Sequence, residues 1–456
     1  MKMHILTATI LATSCGFAHA AATPDEINEL GKSLTPFGAI KAGNAEGTIP
    51  EYTGGLEGPP SNYDTKDPGW RPNPFPEDEP VLRIDANNMA EHEDKLSPGV
   101  KALMQKYPTF FVNVYPTRRS IAYPQEVLDN TVKNASRCET KNGPLGIDTS
   151  NGCGFGIPFP IPANGLEAMW NMSAGAYRTA AFLMTNFRGQ YVKPSGEIVM
   201  SYEANAYRYQ PFYDTRYSEP ESFYGYRYEY YSPTRLSGTN ILVLDMLDDS
   251  ERQAWTYSPA TRRTRLSPDN AADTPVAPLG GSMTYDDDRM FSGKKDRYKW
   301  ELVGKKEMYI PYNNFRYQYT DKADSECYGD AKLVPNHPKS ECIRWELHRV
   351  WHVKATLLDG QRHIYHERDI FIDEDGWADG LADTYDQSGN IYRVNLQIGA
   401  PLYEVPATSI TGNTLIDLVS GVYTTPAAAN ARIIPMDPLP KPMTTPGTLN
   451  RRVLRP

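Results

Sequence analysis

The sequence is poor in the residues that do polar chemistry in a cleft. Eight histidines and five cysteines are spread over 456 residues. The cysteines form no C-x-x-C pair, which removes a dithiol redox centre or a zinc ribbon. There is no G-x-S-x-G, since Gly280-Gly281-Ser282-Met283-Thr284 lacks the closing glycine. Gly31-Lys32-Ser33 has no glycine at phosphate-loop distance upstream, and His92-Glu93 and His366-Glu367 lack the second histidine of a zinc helix. Positive charge is also in deficit: 47 Lys and Arg stand against 56 Asp and Glu, a net charge of −9. That balance argues against a nucleic-acid partner. Past the first residues, no run approaches the ~20 apolar residues of a membrane helix. No catalytic residue, cofactor or metal is expected.

What is present begins with a leader. Met1-Lys2, an apolar stretch from Ile5 to Phe17 and a small-x-small end at Ala18-His19-Ala20 predict a signal peptide over residues 1–20. Lipid attachment at Cys15 is disfavoured, because Ala12-Thr13-Ser14 lacks the usual leucine. Export leaves Cys138, Cys153, Cys327 and Cys342 in an oxidising compartment, where an even count favours disulfides. Three pairings are open. Local closure, Cys138–Cys153 and Cys327–Cys342, is favoured because each pair spans a polar loop bearing Gly or Pro. Either bridge would close about 15 residues, worth roughly 3 kcal/mol in the chain-entropy picture.

Strand signals dominate the second half. From Trp345, apolar Leu347, Trp351, Val353, Ala355 and Leu357 alternate with Glu346, His348, His352, Lys354 and Thr356, the period of a half-buried strand. Runs at 364–372, 377–385 and 392–398, separated by turn residues, predict an antiparallel meander. In the third run Ala378, Gly380, Ala382 and Thr384 make a small-residue face, open to a packed helix or a ligand. Ten tyrosines fall between Tyr202 and Tyr231, and Tyr224, Tyr226, Tyr228 and Tyr230 alternate strictly. They read either as a stabilising cross-strand ladder or as an amphipathic wall with hydrated hydroxyls. Strands are also expected at 110–115, 180–187, 197–202, 241–246, 254–257, 263–266, 300–303 and 307–310. A last hairpin is expected at 414–419 and 422–424. Helices are expected from Thr23 to Leu34, over 87–95, from Ser97-Pro98, from Pro124 toward Ser136 and from Asn164 through Trp170.

Charged residues in the meander admit two accounts each. His348, His352, His363 and His366 read as a polar outer face opposite Glu346, Glu367 and Asp369; His348 and His352 are about 13 Å apart on one strand, too far to share an ion. Asp373-Glu374-Asp375-Gly376 with Asp379 reads as a hairpin turn rather than a calcium loop, and Asp286-Asp287-Asp288 as a solvated turn. Arg349 and Arg368 interrupt strands. Each is either paired with Asp369 or Asp383 or poised as a cationic anchor for an amphiphile's acidic head.

Several stretches together are similar to one family of exported bacterial proteins. These are Leu34-Thr35-Pro36-Phe37-Gly38-Ala39, Ala42 through Leu56, Tyr115-Pro116-Thr117-Arg118-Arg119, Gly156 through Pro162, Gly165 through Asn171, Arg252-Gln253-Ala254-Trp255, Leu302 through Tyr309, Glu346 through Trp351 and Ile372 through Asp375. They resemble, in order and over nearly the whole mature chain, the domain of unknown function 1329 family, grouped with LolA/LolB-like lipoprotein carriers. The resemblance implies an α+β fold: a large curved antiparallel sheet or unclosed barrel embracing helices. It divides the chain into a signal peptide at 1–20, an N-terminal loop and helical part at 21–175, a β wall at 176–425 and a Pro-rich tail at 426–456. Residues 21–456 would form one compact unit. The tail, with Arg451, Arg452 and Arg455, would be extended, on the surface or against a partner.

The implied function is a periplasmic carrier or chaperone for a lipid or other hydrophobic molecule. An inner-membrane exporter and an outer-membrane protein would be its partners, and association with the outer membrane is compatible with that role. The alternatives are an envelope adaptor without a ligand and a hydrolase on the same scaffold. Candidate lining residues are Trp170, Tyr224, Tyr226, Tyr228, Tyr230, Trp255, Trp345, Arg349 and Trp351.

Overall fold

A computed structural model describes residues 22–454 apart from positions 57, 142–144, 176, 249, 268–272, 408–412 and 426–430. The expected leader, Pro426 and Arg455 lie outside the described residues. Period-two stretches become strands. β1 (Leu82–Ile84) and β2 (Val112–Val114) come first, followed by a separate hairpin of β3 (Glu139–Lys141) and β4 (Gly146–Asp148). Next come β5 (Ala181–Val192), β6 (Ile198–Tyr209), β7 (Ser222–Ser232), β8 (Asn240–Met246), β9 (Gln253–Ser258) and β10 (Arg263–Leu266). After a long connection follow β11 (Tyr298–Pro311), β12 (Trp345–Leu357), β13 (Glu367–Asp373), β14 (Gly380–Tyr385) and β15 (Ile391–Gln397). Short β16 (Asn413–Asp417), β17 (Tyr423–Thr424) and β18 (Arg432–Pro435) end the series.

Sixteen of these strands share one sheet. Its order is β11-β12-β13-β14-β15-β16-β17-β5-β6-β7-β8-β9-β10, every neighbour antiparallel. β18 also lies on β5, and β2 joins the start of β12 in parallel. Among the described residues the edges β10 and β11 do not pair. The fold is therefore α+β with a large, unclosed sheet, and the expected meander is β12 to β15.

Some boundaries differ from the sequence pattern for local reasons. Residues 300–303 and 307–310 belong to one strand, β11, whose alternation breaks at a bulge between Leu302 and Gly304, where Gly304 has φ 134°. A bulge inserts an extra residue without ending the ladder. β14 starts at Gly380 rather than Trp377, because Trp377 is left-handed (φ 58°) and Gly380 has φ 136°. A Cβ on Gly380 would sit 2.0 Å from the Phe371 carbonyl oxygen. The smallness of that position thus serves its own backbone. Residues 89–95 form a 3-10 helix, not an α-helix, and the first helix stops at Asn28 rather than near Leu34.

Five α-helices are described: α1 (Pro24–Asn28), α2 (Pro98–Lys106), α3 (Gln125–Arg137), α4 (Gly165–Trp170) and α5 (Phe315–Gln318). Thr23 and Glu26 close a capping box at α1. α2 buries Val100, Leu103 and Met104 against β14 and β15. It does not lie on the small-residue face. Its first turn meets Asp383, on the opposite side of β14, whose carboxylate accepts from Gly99 N (2.7 Å) and Ser97 Oγ (3.1 Å). Disulfides join Cys138 to Cys153 and Cys327 to Cys342, each across 15 positions. The tail folds back on the sheet. Arg227 of β7 donates to the Met443 and Thr448 carbonyls, and the Glu229 carboxylate accepts from Val453 N (2.8 Å) and Leu454 N (3.2 Å).

Burial pushes the Asp383 pKa up to about 7. A carboxyl whose folded pKa exceeds its unfolded value stabilises the fold most at low pH, and that contribution fades between pH 4 and 7. Asp383→Asn keeps one oxygen to accept from Gly99 N, turns an amide donor toward Ser97 Oγ and removes the titration. Thermal unfolding from pH 5 to 8 should therefore show a shallower loss of Tm in the variant than in the wild type, with a gap on the order of 1–3 kcal/mol by pH 8.

Candidate functional site

The alternating tyrosines of β7 face the even positions of β6. In register, Tyr228 lies opposite Ala206, Tyr230 opposite Ala204 and Tyr226 opposite Arg208. Two alanines facing two phenol rings leave a hollow that larger side chains would fill. The rings brace one another: Phe187 stacks on Tyr228 at 5.7 Å and Tyr202 meets Tyr230 edge-on at 5.1 Å. Over this wall pass Val276, Pro278, Leu279, Met283, Tyr285 and Asp288, enclosing a cavity of ≈ 150 Å³. A cavity of that order is large enough to take a benzene-sized guest, and its wall mixes ring and aliphatic surface with Arg208, Arg252 and Asp288.

The cover is pinned on the meander side. Asp286 accepts from Arg368 (2.5 Å) and lies 3.1 Å from His363; Asp287 accepts from the Tyr365 hydroxyl (2.9 Å) and lies 3.5 Å from both Arg368 and Arg393. The Asp287 carbonyl accepts from Asn395. Burial alone would raise the Asp286 pKa, but Arg368 and then His363 overcome it and hold the carboxyl down at about 2. The 286–287 turn is thus buried, not solvated. Its occupants, rather than Asp369 or Asp383, are the partners of Arg368. Ala382 and Thr384 lie opposite Asn395 and Arg393 in the ladder, so this loop covers the small-residue face where a helix or ligand was expected.

One cation in the cavity wall stands apart. Arg252 is neutralised by Asp245 at 2.6 Å, and Asp288 by Arg289 at 3.4 Å. Arg208, 5 % exposed, donates to the hydroxyls of Tyr224 and Tyr228, the latter at 2.6 Å, while its Nε has no partner among the described residues. Burial pushes the Tyr224, Tyr226, Tyr228 and Tyr230 phenols well up, so all four remain neutral O–H groups.

Of the sequence candidates, Tyr226, Tyr228 and Tyr230 line this cavity and Tyr224 buttresses Arg208 beside it. The others lie elsewhere. Trp170 is buried under the Lys295 ammonium (3.6 Å), Trp345 meets Phe110, and Trp351 stacks on Trp377 at 6.0 Å. Trp255 is half-buried on β9. Arg349 pairs with Glu374 (3.4 Å) and the Ala42 carbonyl, not with Asp369 or Asp383. Phe187, Tyr202, Arg208 and the cover were missed. The even-position run Tyr202-Ala204-Ala206-Arg208 was the available signal, hidden because the sequence pattern ends that strand at 202.

The remaining histidines do not converge. His348 meets Glu346 of its own strand (3.1 Å) and His352 meets Asp369 (2.7 Å), whereas Glu367, the third expected carboxylate, pairs with Lys354 (2.8 Å). The face is not an outer one, because Glu346 and His348 are buried. His348, Asp373 and Asp375 bring donor atoms within 4.8 Å of one another. Asp375, however, already holds Arg119 through both oxygens (2.6 and 2.8 Å). Burial, then the Asp375 charge, pushes Asp373 up to about 8. Protonation and ion pairing balance this cluster internally.

A long unclosed sheet with one aromatic cavity under a pinned loop defines an α+β protein whose concavity, not an exposed triad, is its distinctive site. The chain belongs to the family described as "Protein of unknown function (DUF1329)", which it matches over residues 83–445. It is 36% identical over 433 residues to the uncharacterized protein PA3922 of Pseudomonas aeruginosa, covering 92% of this chain and 90% of that one. Similar solved structures include a DUF1329 family protein from Desulfovibrio piger, with a TM-score of 0.39, 13% identity and coverage of 59% of this chain and 92% of that one. Another is the LolA superfamily protein NE2245 from Nitrosomonas europaea, with a TM-score of 0.36, 10% identity and coverage of 62% and 97%. No helix among the described residues is long and apolar enough to cross a membrane.

Removing one member of a buried ion pair strands the other. Arg368→Met should cost about 3–5 kcal/mol in denaturant unfolding and open the 273–297 connection to limited proteolysis. Adding Asp286→Asn should restore part of the loss.

Proposed function

We propose that the protein is a periplasmic, non-enzymatic carrier or chaperone that holds a lipid or other hydrophobic molecule in the cavity between the tyrosine wall and the 276–288 cover, serving transport across the envelope. The observation that carries this reading is the cavity itself: Phe187, Tyr202, Tyr226, Tyr228 and Tyr230 offer ring surface, and Val276, Leu279 and Met283 close over it. Burying apolar surface there gains ~25 cal/mol per Å², and few polar groups are needed to orient a guest. The lining is dominated by ring and aliphatic surface, with Arg208, Arg252 and Asp288 as its charged members. The leader expected from the sequence and the two disulfides fit an oxidising compartment outside the inner membrane.

The test is binding of the uncharged fluorophore N-phenyl-1-naphthylamine, together with native mass spectrometry of gently extracted protein. The wild type should bind the fluorophore saturably and retain an apolar molecule. Ile241→Trp, placing an indole in the cavity, should weaken fluorophore binding roughly tenfold or more with little change in Tm. Absence of saturable binding by the wild type would overturn the carrier.

A further inference from the structure

We infer that the cavity selects amphiphiles carrying a monoanionic carboxylate, with Arg208 as the headgroup receptor. The inference rests on the cavity being a ligand site and goes beyond it by naming the chemistry of the head. A guanidinium presents five N–H donors, and two of the Arg208 donors are used by the Tyr224 and Tyr228 oxygens. Its Nε is buried without a partner. Among the described residues no carboxylate stands within ion-pair distance of Arg208, and Asp288 acts on it only from farther off; a buried charge without a close partner is costly. Every other charge in the wall is already compensated: Arg252 by Asp245, and Asp288 by Arg289. One positive charge in excess calls for one negative charge from outside.

Charge favours a carboxylate over a phosphate monoester. Both accept from a guanidinium fork in a paired arrangement, but the wall has one positive charge in excess and a carboxylate brings one negative charge. The phenols that accept from Arg208 keep their own protons, because burial raises their pKa. Each therefore has an O–H to donate to a second acceptor. Arg208 with the Tyr228 hydroxyl makes a receptacle of one charge and one neutral donor, enough for a single anion. Asp288, also in the wall, opposes a doubly charged head. Tyr226 lies with its ring 5.0 Å from the guanidinium carbon, and beyond it Phe187, Tyr202 and Tyr230 provide the apolar bed for the chain. The expected cationic anchor is thus on the tyrosine half of the sheet, and not at Arg349 or Arg368, which are both occupied by carboxylates.

Displacement of bound N-phenyl-1-naphthylamine by octanoate, octanol and octyl phosphate at pH 7.5 tests this. Octanoate should displace the fluorophore at a concentration 10- to 100-fold lower than octanol, the range a charge-assisted hydrogen bond supplies, and lower than octyl phosphate. In Arg208→Met, octanoate and octanol should become equal in potency against whatever fluorophore the variant binds. Equal potency of octanoate and octanol on the wild-type protein overturns the inference and leaves the carrier standing, so the wild-type comparison decides even if the variant does not fold. Octyl phosphate as the best competitor overturns the choice of carboxylate. A fluorophore that does not bind overturns both proposals.

Discussion

The contact on which the architecture turns is the pair of aspartates, Asp286 and Asp287, sunk among Arg368, Arg393, His363 and Tyr365. The sheet has two lobes, the meander β12–β15 and the tyrosine half β5–β10, linked among the described residues through the short strands β16 and β17. The segment from 276 to 288 passes over both. Its apolar residues rest on the tyrosines and its acids are buried on the meander. Burying such charges adds little net stability compared with an apolar filling, but a misplaced one is severely penalised. The network therefore fixes where the cover sits, and through the cover it fixes the height of the cavity roof.

Charge in this protein is sorted by depth. Around His348, five acids and several arginines lie in the interior: Asp375 is paired with Arg119 and Glu374 with Arg349, while burial pushes Asp373 up to about 8 and Asp379 up to about 6. That region is saturated and explains why histidines on neighbouring strands do not add up to a metal centre. Arg208 is different in kind. Its surroundings are phenols, which solvate a cation through oxygen lone pairs and ring faces without cancelling its charge.

Most of the fold was legible because it was written in period two: the meander, the β8–β10 run and the last hairpin follow the alternation. The errors have two physical sources. Bulges, as at Leu302 and Gly304 or between Met184 and Phe187, break alternation without breaking the strand, so β11 read as two pieces and β5 as too short. Tertiary burial of charge was the other. Nothing local distinguishes Asp286-Asp287 in an exposed turn from the same pair docked on two arginines over eighty positions away. The site divided along the same line. Three of four tyrosines on one strand lie where the alternation places them, in the cavity wall. The tryptophans, chosen for size, are mostly structural, and the isolated arginine at the end of an alanine-rich strand gave no hint until its neighbours were in place.

The tail gives the tyrosine half its second skin. Glu229, whose strand neighbours Tyr228 and Tyr230 face the hollow, turns the other way and receives the backbone of Val453 and Leu454. The wall is consequently clamped from behind by the far end of the polypeptide, across more than 220 positions. Loop closure over such a span comes late. Residues 443–454 thus serve as the backing of the aromatic lobe, and a pairing of such sequence separation is of the slowly formed kind.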